Sequence, residues 1–423
     1  MAAPRAESKD MQAVTRQTAR MNAVTPTHAA APALRPLELY DISEARGFLS
    51  KFDPAAVDLP GDLGAAARLA LRLPQLLPTG RVRALLRDGL PDDIAPEAIA
   101  SLSDAQARIA MVHYSFMVQA YVWGETGAPA ALPRALARPV VALSDRTGQP
   151  PLLPYSGYVL DNWGRFDAHG PIDLSNTYMI QHFLGGQDEA WFVLVHVAIE
   201  ALAGRALARI PDAVAAARDE DIGALRAGLE GMATDWVPLA DVFDRMPERC
   251  DPYVYFERVR PYIHGWANNP ALPDGLVYEG VERFGGRGQA FRGQTGSQSS
   301  IVPVMDALLG VGHAADPLKT YLDELHVYRP PAHRAFIDDV RAASGVRSLV
   351  ERAGHAGLDA AYNAAIQAVA DFRTRHLEYA ASYIARQGKR SDGNDPAVGT
   401  GGTPFMRYLK KHRDETRARL IRA

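Results

Sequence analysis

Cysteine is almost absent from this chain. Cys250 is the single cysteine among 423 residues. One thiol cannot close a disulfide within the chain, and it cannot supply the several thiolates of a structural zinc site or an iron–sulfur cluster. The cysteine content therefore excludes a small secreted scaffold held together by disulfides. It fits a reducing compartment, and we expect a cytoplasmic protein.

The chain also lacks an excess of charge of one sign and a long hydrophobic run. Lys and Arg number 46 against 49 Asp and Glu, and no basic stripe alternates with aromatic residues, so we expect no nucleic-acid partner. The most apolar segment, residues 191–202, is interrupted by His196 and Glu200. It is well below the roughly 20 residues that span a bilayer, and we expect no membrane association.

Length and composition predict the domain organisation. The chain is longer than one hydrophobic core usually supports. Residues 1–35 are rich in Ala, Thr, Arg and Pro and predict a disordered extension, although few acids and several arginines leave an organellar transit peptide as an alternative. Residues 36–150 alternate short helical segments with proline breaks, which predicts a small helical domain. Residues 151–423 predict a larger helical domain.

Caps and prolines predict where several elements begin and end. Ser103 and Asp104 predict the N-cap of a helix from Ala105 to about Trp123. Five prolines between residues 133 and 154 predict an extended connection after that helix. A further amphipathic helix is predicted over residues 221–242.

The segment 188–210 predicts a buried helix that carries two polar residues on one face. Its acidic start suits a helix N-terminus, and its small-residue run suits close helix packing. His196 and Glu200 lie one turn apart and could form a charge-assisted hydrogen bond or half of a metal site. No HExxH or CxxC motif accompanies them, so a buried hydrogen bond is at least as good an interpretation.

The longest helical period runs from Leu358 to Gln387. Apolar and aromatic residues recur there at steps of three and four, which predicts one stripe of an amphipathic helix about 30 residues long. His376 lies in that stripe, where a histidine is more often a satisfied core residue than a ligand. Arg373 and Arg375 lie within one turn, and a haem site needs guanidinium groups near its propionates and an axial imidazole. Both interpretations of His376 remain open at this point.

Two glycine-rich segments predict loops, one over residues 284–300 and one over residues 393–403. The first lacks the GxxxxGK[ST] order of a phosphate-binding loop, and no strand precedes it. A loop that closes over a site is the better interpretation. The two segments are far apart in the chain, but both could border one cavity beside the long helix.

A series of motifs, taken in chain order, resembles the indoleamine 2,3-dioxygenase family from about Leu37 to the C-terminus. The last two are the most specific. The motifs are AYVWG (120–124), LPYSGYVLDNW (153–163), LVHVAIEA (194–201), LPDGLVYEGV (272–281), FRGQTGSQSS (291–300), RPPAHRAF (329–336), the helix that contains His376, and GTGGTPFMRYLK (399–410).

The resemblance implies an all-α protein with a small N-terminal helical domain and a large haem-binding catalytic domain. It implies a dioxygenase that opens the indole ring of L-tryptophan, or of a related indole, between C2 and C3 and yields N-formylkynurenine. The implied partners are haem b with its iron, the indole, dioxygen and an external reductant. A haem-dependent monooxygenase or peroxygenase of secondary metabolism and a non-catalytic haem-binding protein are the alternatives.

On the haem side, the resemblance assigns one ligand and several supporting residues. His376 matches the axial ligand of the iron, and Arg373 matches the arginine on the propionate side. Asp306 matches an acid in the polar network near that histidine, where a carboxylate would raise the basicity of the ligand. Gly293 and Thr295 belong to the loop over the haem.

On the substrate side, the resemblance assigns positioning roles. Arg260 would hold the substrate carboxylate, and Thr400 would contact the amino-acid backbone. His196 replaces a serine of the vertebrate enzymes and would accept the indole N–H, which makes it a positioning group and not a base. The other residues assigned to the pocket are Tyr155, Tyr158, Val159, Phe192, Tyr255, Phe256 and Gly296. Tyr255 replaces a usual phenylalanine and QTG replaces GSA in the loop, so the resemblance leaves the identity of the indole open.

Overall fold

The computed structural model describes residues 33–91, 93–387, 399–400 and 405–422. Helices form this part of the chain, and its strands are only two or three residues long, so the predicted all-α class is confirmed. The predicted disordered extension lies outside the described residues except at its end. Most of the second glycine-rich loop also lies outside them.

The helices of the N-terminal half are mostly short before the first long one. In chain order they are α1 (Gly61–Ala70), α2 (Leu73–Leu76), α3 (Val82–Gly89), α4 (Pro96–Ala100), α5 (Asp104–Trp123), α6 (Arg134–Thr147), α7 (Gln187–Ala208), α8 (Ile210–Arg218) and α9 (Ile222–Phe243). The strands are β1 (Ala131–Leu132), β2 (Trp163–Arg165), β3 (Thr177–Met179) and β4 (Val277–Tyr278), with β1 parallel to β4 and β2 antiparallel to β3.

The C-terminal half is helical as well, with irregular turns between its helices. The helices are α10 (Pro252–Val254), α11 (Ile301–Leu309), α12 (Pro317–His326), α13 (Pro331–Ala343), α14 (Val346–Ala353), α15 (Ala356–Ala380) and α16 (Phe405–Arg417). One-turn π-helices occupy Ser156–Leu160, Tyr255–Val259 and Ala381–Ala385, and the last of them extends the predicted long helix beyond α15.

The start of α5 follows from a capping box. The Ser103 hydroxyl accepts a hydrogen bond from the Gln106 backbone N–H at 3.2 Å, and the Gln106 side chain accepts one from the Ser103 N–H at 3.1 Å. Two N–H groups that the helix leaves free are thereby satisfied. Most of α5 is buried on every side because it packs against both α1 and α6.

The predicted extended connection between residues 133 and 154 is wrong for most of its length, because α6 occupies residues 134–147. Pro139 lies inside this helix. A proline removes one backbone N–H, here the donor that would reach the carbonyl of Ala135, and near a helix start that loss is small compared with the burial of an apolar face. Gly148, with φ of 66°, ends the helix in the left-handed conformation.

The helix α7 is shared by two hydrophobic cores. Val193 and Val197 face a core built on α1–α6, whereas Val195 and Ile199 face a core built on α8, α9, α11 and α13–α15. A helix that is apolar on all sides is expected to be buried. The division of the chain near residue 150 into a small and a large domain stays a prediction.

The continuous helical stretch Gln187–Arg218 is the one segment of the described chain that is long and apolar enough to cross a membrane, with a mean hydropathy of 1.5. Of its most apolar window, 72 % is buried inside the structure. Packing within the two cores therefore accounts for its apolar composition.

A tight loop at Gly47 sits directly on the backbone of α7. Gly47 has φ of 57°, and a Cβ at this position would lie 1.9 Å from the carbonyl oxygen of Glu200. The contact is reciprocal, since a Cβ at Gly204 would lie 2.2 Å from the carbonyl oxygen of Glu44. Two glycines without side chains thus let the loop press against the helix next to Glu200.

We expect Gly47→Ala to lower the free energy of unfolding by about 2–5 kcal/mol. The left-handed conformation costs about 1–2 kcal/mol for alanine, and overpacking adds about 1–3 kcal/mol. Gly80→Ala is the matched control, because Gly80 also has positive φ, 65°, but a Cβ there meets nothing within 4 Å. Urea unfolding of both variants measures the difference. Equal losses of unfolding free energy in the two variants would mean that overpacking against α7 does not add to the cost of Gly47→Ala.

Candidate functional site

A cavity of about 740 Å³ lies between α7, α11 and α15. Its volume is within the range of about 300–1,000 Å³ that is usual for ligand pockets. His196 from α7 and His376 from α15 both line it. Apolar side chains form much of the wall between the two imidazoles, and they are Ile199, Phe243, Ile301, Val302 and Phe372.

The His376 imidazole faces this cavity and is not held by a hydrogen bond from any described residue. Its ring contacts the ring of Phe243 at 6.2 Å between centroids. Burial, with smaller effects of His196 and Arg373, lowers the pKa of His376 to about 4. A neutral imidazole with a free lone pair directed at a cavity is suited to bind a metal centre, which favours the ligand interpretation over the satisfied core residue.

The His196 imidazole is oriented by its own helix. Its Nδ1–H donates a hydrogen bond to the Phe192 carbonyl at 2.7 Å, which leaves Nε2 as an acceptor in the neutral ring. Burial lowers the pKa of His196, so the neutral form predominates near pH 7. The Phe192 ring lies 4.7 Å away, and the Tyr155 ring lies 6.3 Å away edge-on. The site therefore offers a hydrogen-bond acceptor within an aromatic wall.

His196 and Glu200, which could have formed a pair, do not bond to each other. The Glu200 carboxylate instead accepts hydrogen bonds from the Tyr155 hydroxyl at 2.9 Å and from the Ser299 hydroxyl at 2.8 Å. The pair is absent because the Phe192 carbonyl already accepts the Nδ1–H of His196, while the segments after α6 and before α11 bring hydroxyl groups to Glu200.

Glu200 is an unusual acid for the wall of a cavity. It is completely buried, and its Oε2 atom has no hydrogen-bond partner among the described residues. Burial raises the pKa of Glu200 to about 7, although its two hydroxyl partners act in the opposite direction. Its protonated and ionised forms therefore coexist near neutral pH.

Arg373 and Asp306 form a buried bidentate ion pair at another wall of the cavity. Arg373 Nη1 lies 3.0 Å from Asp306 Oδ1, and Nη2 lies 2.6 Å from Oδ2. Burial by itself would raise the pKa of Asp306, but Arg373 and His313 outweigh it and lower the pKa to about 2. Arg375, the other arginine near His376, binds Asp244 at 2.9 Å.

The two glycine-rich segments meet at Thr400. The Gly265 N–H donates to the Thr400 carbonyl at 3.3 Å, and the Thr400 hydroxyl donates to the Gln294 carbonyl. A Cβ at Gly293 would lie 2.5 Å from the Thr400 carbonyl oxygen, so the approach requires a glycine. Thr295 caps the turn that follows by accepting from the backbone N–H of Ser297 at 3.4 Å.

A cluster of aromatic residues, buried except for the partly buried Phe192, lies beside His196. Phe192 lies 4.5 Å from Tyr255 and 6.4 Å from Tyr158 between ring centroids. Arg260 is fully buried, with its guanidinium 5.2 Å from the centre of the Phe256 ring. These residues support the cavity from outside its lining.

The structure brings some of the predicted site residues to one cavity and leaves the others around it. The lining includes Tyr155, His196, Gly296, Asp306, Arg373 and His376, and it does not include Tyr158, Val159, Phe192, Tyr255, Phe256, Arg260, Gly293, Thr295 or Thr400.

The cavity is also lined by polar residues that the sequence did not assign to the site, among them Glu200, Ser299, His313 and His412. Glu200 carried a signal, one turn from His196, and Ser299 lay within a recognised motif. His313 and His412, which also line the cavity, carried none because they are distant in the chain.

Comparisons with known proteins agree on one family. Residues 36–419 match the model described as indoleamine 2,3-dioxygenase. Indoleamine 2,3-dioxygenase 1 of Rattus norvegicus is 32 % identical over 400 residues, which cover 92 % of this chain and 96 % of the relative. Indoleamine 2,3-dioxygenase 2 of Homo sapiens is 31 % identical, with 90 % and 94 % covered. Indoleamine 2,3-dioxygenase nanC of Aspergillus nanangensis is 32 % identical, with 90 % and 96 % covered.

Proposed function

The chain belongs to the indoleamine 2,3-dioxygenase family, and on that premise we propose that its cavity holds haem b with His376 as the ligand of the iron. The protein is a haem-dependent dioxygenase that acts on an indole with dioxygen. The observation that carries the assignment of the site is the pair of neutral imidazoles, His196 and His376, that line one cavity from two helices.

The residues that line the cavity fit a haem. His376 has a neutral ring without a hydrogen-bond partner among the described residues, and the wall beside it is apolar. Arg373 lies one helical turn before His376, and the carboxylate of Asp306 balances its charge. A haem propionate on this side of the cavity would therefore meet polar groups with little net charge. Haem, when bound, supplies the chemistry that activates dioxygen.

We propose L-tryptophan or a closely related indole as the substrate and N-formylkynurenine, or its analogue, as the product. The neutral Nε2 of His196 is available to accept the indole N–H, and the Phe192 and Tyr155 rings beside it offer aromatic surface to the indole. Positioning of this kind can supply a large part of a rate enhancement. No proton abstraction by His196 is needed.

We assign the amino-acid end of the substrate to Arg260, with Thr400 and the adjoining loop closing over it. A planar guanidinium suits a bidentate bond to a carboxylate. Arg260 is fully buried, so a carboxylate that reached it would be shielded from water, and the attraction would be stronger than at the surface. We further propose an external reductant, a cytoplasmic location, and neither nucleic acid nor membrane as a partner.

The product of the reaction under isotopically labelled dioxygen tests the proposed function. We expect reduced enzyme and L-tryptophan to yield a product that carries two labelled oxygen atoms from one dioxygen molecule. A single labelled atom would indicate a monooxygenase, and an oxygenated product without label, formed only when peroxide is supplied, would indicate a peroxygenase. No turnover of L-tryptophan or of any related indole by haem-replete enzyme would favour a binding protein.

We expect His376→Ala to abolish stable haem binding and to leave the helical content nearly unchanged, because the substitution removes one ligand from a helix that apolar packing holds in place. Haem per chain is measured by absorbance and helical content by circular dichroism. His169→Ala, which removes an exposed imidazole elsewhere, is the control. Normal haem content and full turnover in His376→Ala would move the ligand to another residue.

We expect His196→Ala to weaken the binding of L-tryptophan more than the binding of 1-methyl-tryptophan, which has no ring N–H to donate. One neutral hydrogen bond contributes about 1 kcal/mol, so the difference between the two substrates should be roughly fivefold in Kd. Binding titrations of the haem-loaded proteins measure it. Equal losses for the two compounds would leave His196 as a packing residue.

A further inference from the structure

Three potential metal ligands converge where α16 borders the cavity. His412 and Glu415 lie three residues apart on α16, which puts them on one face of the helix. His313 comes from the segment that follows α11. One ligand atom from each of the three residues lies within 4.8 Å of the other two. His313 and His412 also line the cavity.

The His412 side chain provides a second and independent sign of a missing ligand. It is 8 % exposed, and its Nε2 atom is buried without a hydrogen-bond partner among the described residues. Its ring centroid lies 4.5 Å from that of His313. A buried ring nitrogen that neither donates nor accepts is rare, and a bound ion is one of the explanations that account for it.

His313 lies between two carboxylates, one at each ring nitrogen. Asp306 Oδ2 lies 3.4 Å from Nε2 of His313, and Glu415 Oε2 lies 2.6 Å from Nδ1. An outer carboxylate that accepts from one ring nitrogen fixes the tautomer and presents the other nitrogen to a metal. Asp306 would then serve as the outer carboxylate and Glu415 as a direct ligand.

We propose that His313, His412 and Glu415 bind one Zn²⁺ ion, at the edge of the cavity that we assign to the haem. Two imidazoles and one carboxylate are a ligand set that zinc uses, with the fourth position left to water. Bond lengths of about 2.0–2.1 Å place such ligand atoms about 3.3 Å apart. The His313 and Glu415 atoms, now 2.6 Å apart, would move slightly apart as the ion replaces the proton between them.

The charges nearby permit this site and suggest its consequence. The Lys411 ammonium lies 3.4 Å from Glu415 Oε1 and also forms an ion pair with Asp316. When a cation binds Glu415, Lys411 would still be paired with Asp316. The ion would tie α16 to the segment after α11. Through Asp306 it would also support Arg373 on α15, the helix that carries His376.

Zinc binding to haem-loaded protein without an affinity tag tests the proposal. Equilibrium dialysis against buffered Zn²⁺, followed by elemental analysis, should give one zinc more per chain in the wild type than in His412→Leu or Glu415→Gln. Loss of an outer-shell partner alone weakens metal binding about 10–100-fold, so loss of a direct ligand should weaken it by at least about 100-fold. His169→Ala should bind zinc as the wild type does.

Thermal unfolding gives a second readout that does not depend on activity. Zinc should raise the Tm of the wild type and should not raise that of Glu415→Gln, because only binding to the folded state stabilises it. Glu415→Gln is nearly isosteric and carries the test if His412→Leu does not fold. Absence of zinc in the wild type, or equal binding by Glu415→Gln, would overturn the proposal and leave a His313 imidazolium bridging Asp306 and Glu415. Both readouts report zinc binding, so neither outcome tests the assignment of His376 as the haem ligand.

Discussion

The packing of α9 against both α7 and α15 is the contact on which the site depends. The ring of Phe243, at the end of α9, lies 6.4 Å from that of His196 and 6.2 Å from that of His376. It also contacts Phe372 at 5.3 Å. Because close-packed interiors hardly compress, these rings set how far apart the two histidine-bearing helices can lie, and thereby the width of the cavity.

Burial decides the protonation of the groups around this cavity. It holds His196 and His376 neutral, which a metal ligand and a hydrogen-bond acceptor both require. Arg373 and Asp306 remain charged in the same setting because each satisfies the other in a bidentate pair. A buried ion pair of this kind adds little net stability, but removal of one partner would leave an unpaired buried charge that destabilises the fold. The pair therefore holds α11 and α15 in a defined relation.

Local rules predicted most of the elements and failed where tertiary contacts outweighed them. The helix N-cap at Ser103 and the long helix that contains His376 each depend on residues close together in the chain, and both appear in the structure as expected. Pro139 predicts an extended segment, and this prediction is wrong because the burial of α6 outweighs one lost hydrogen bond. His196 and Glu200 have the correct spacing for a pair, yet His196 bonds to the Phe192 carbonyl of its own helix and Glu200 bonds to hydroxyl groups of distant segments.

The sequence by itself determined the helical class, the family and the position of His376 on an apolar stripe, because each of these depends on periodicity or on short motifs. Only the tertiary structure decided which residues share a cavity. It joined Glu200 to Tyr155 and Ser299, brought Thr400 to Gln294, and placed His313 beside His412. Such contacts link residues whose separation along the chain carries no periodic signal, so they arise from helix packing and not from any local pattern.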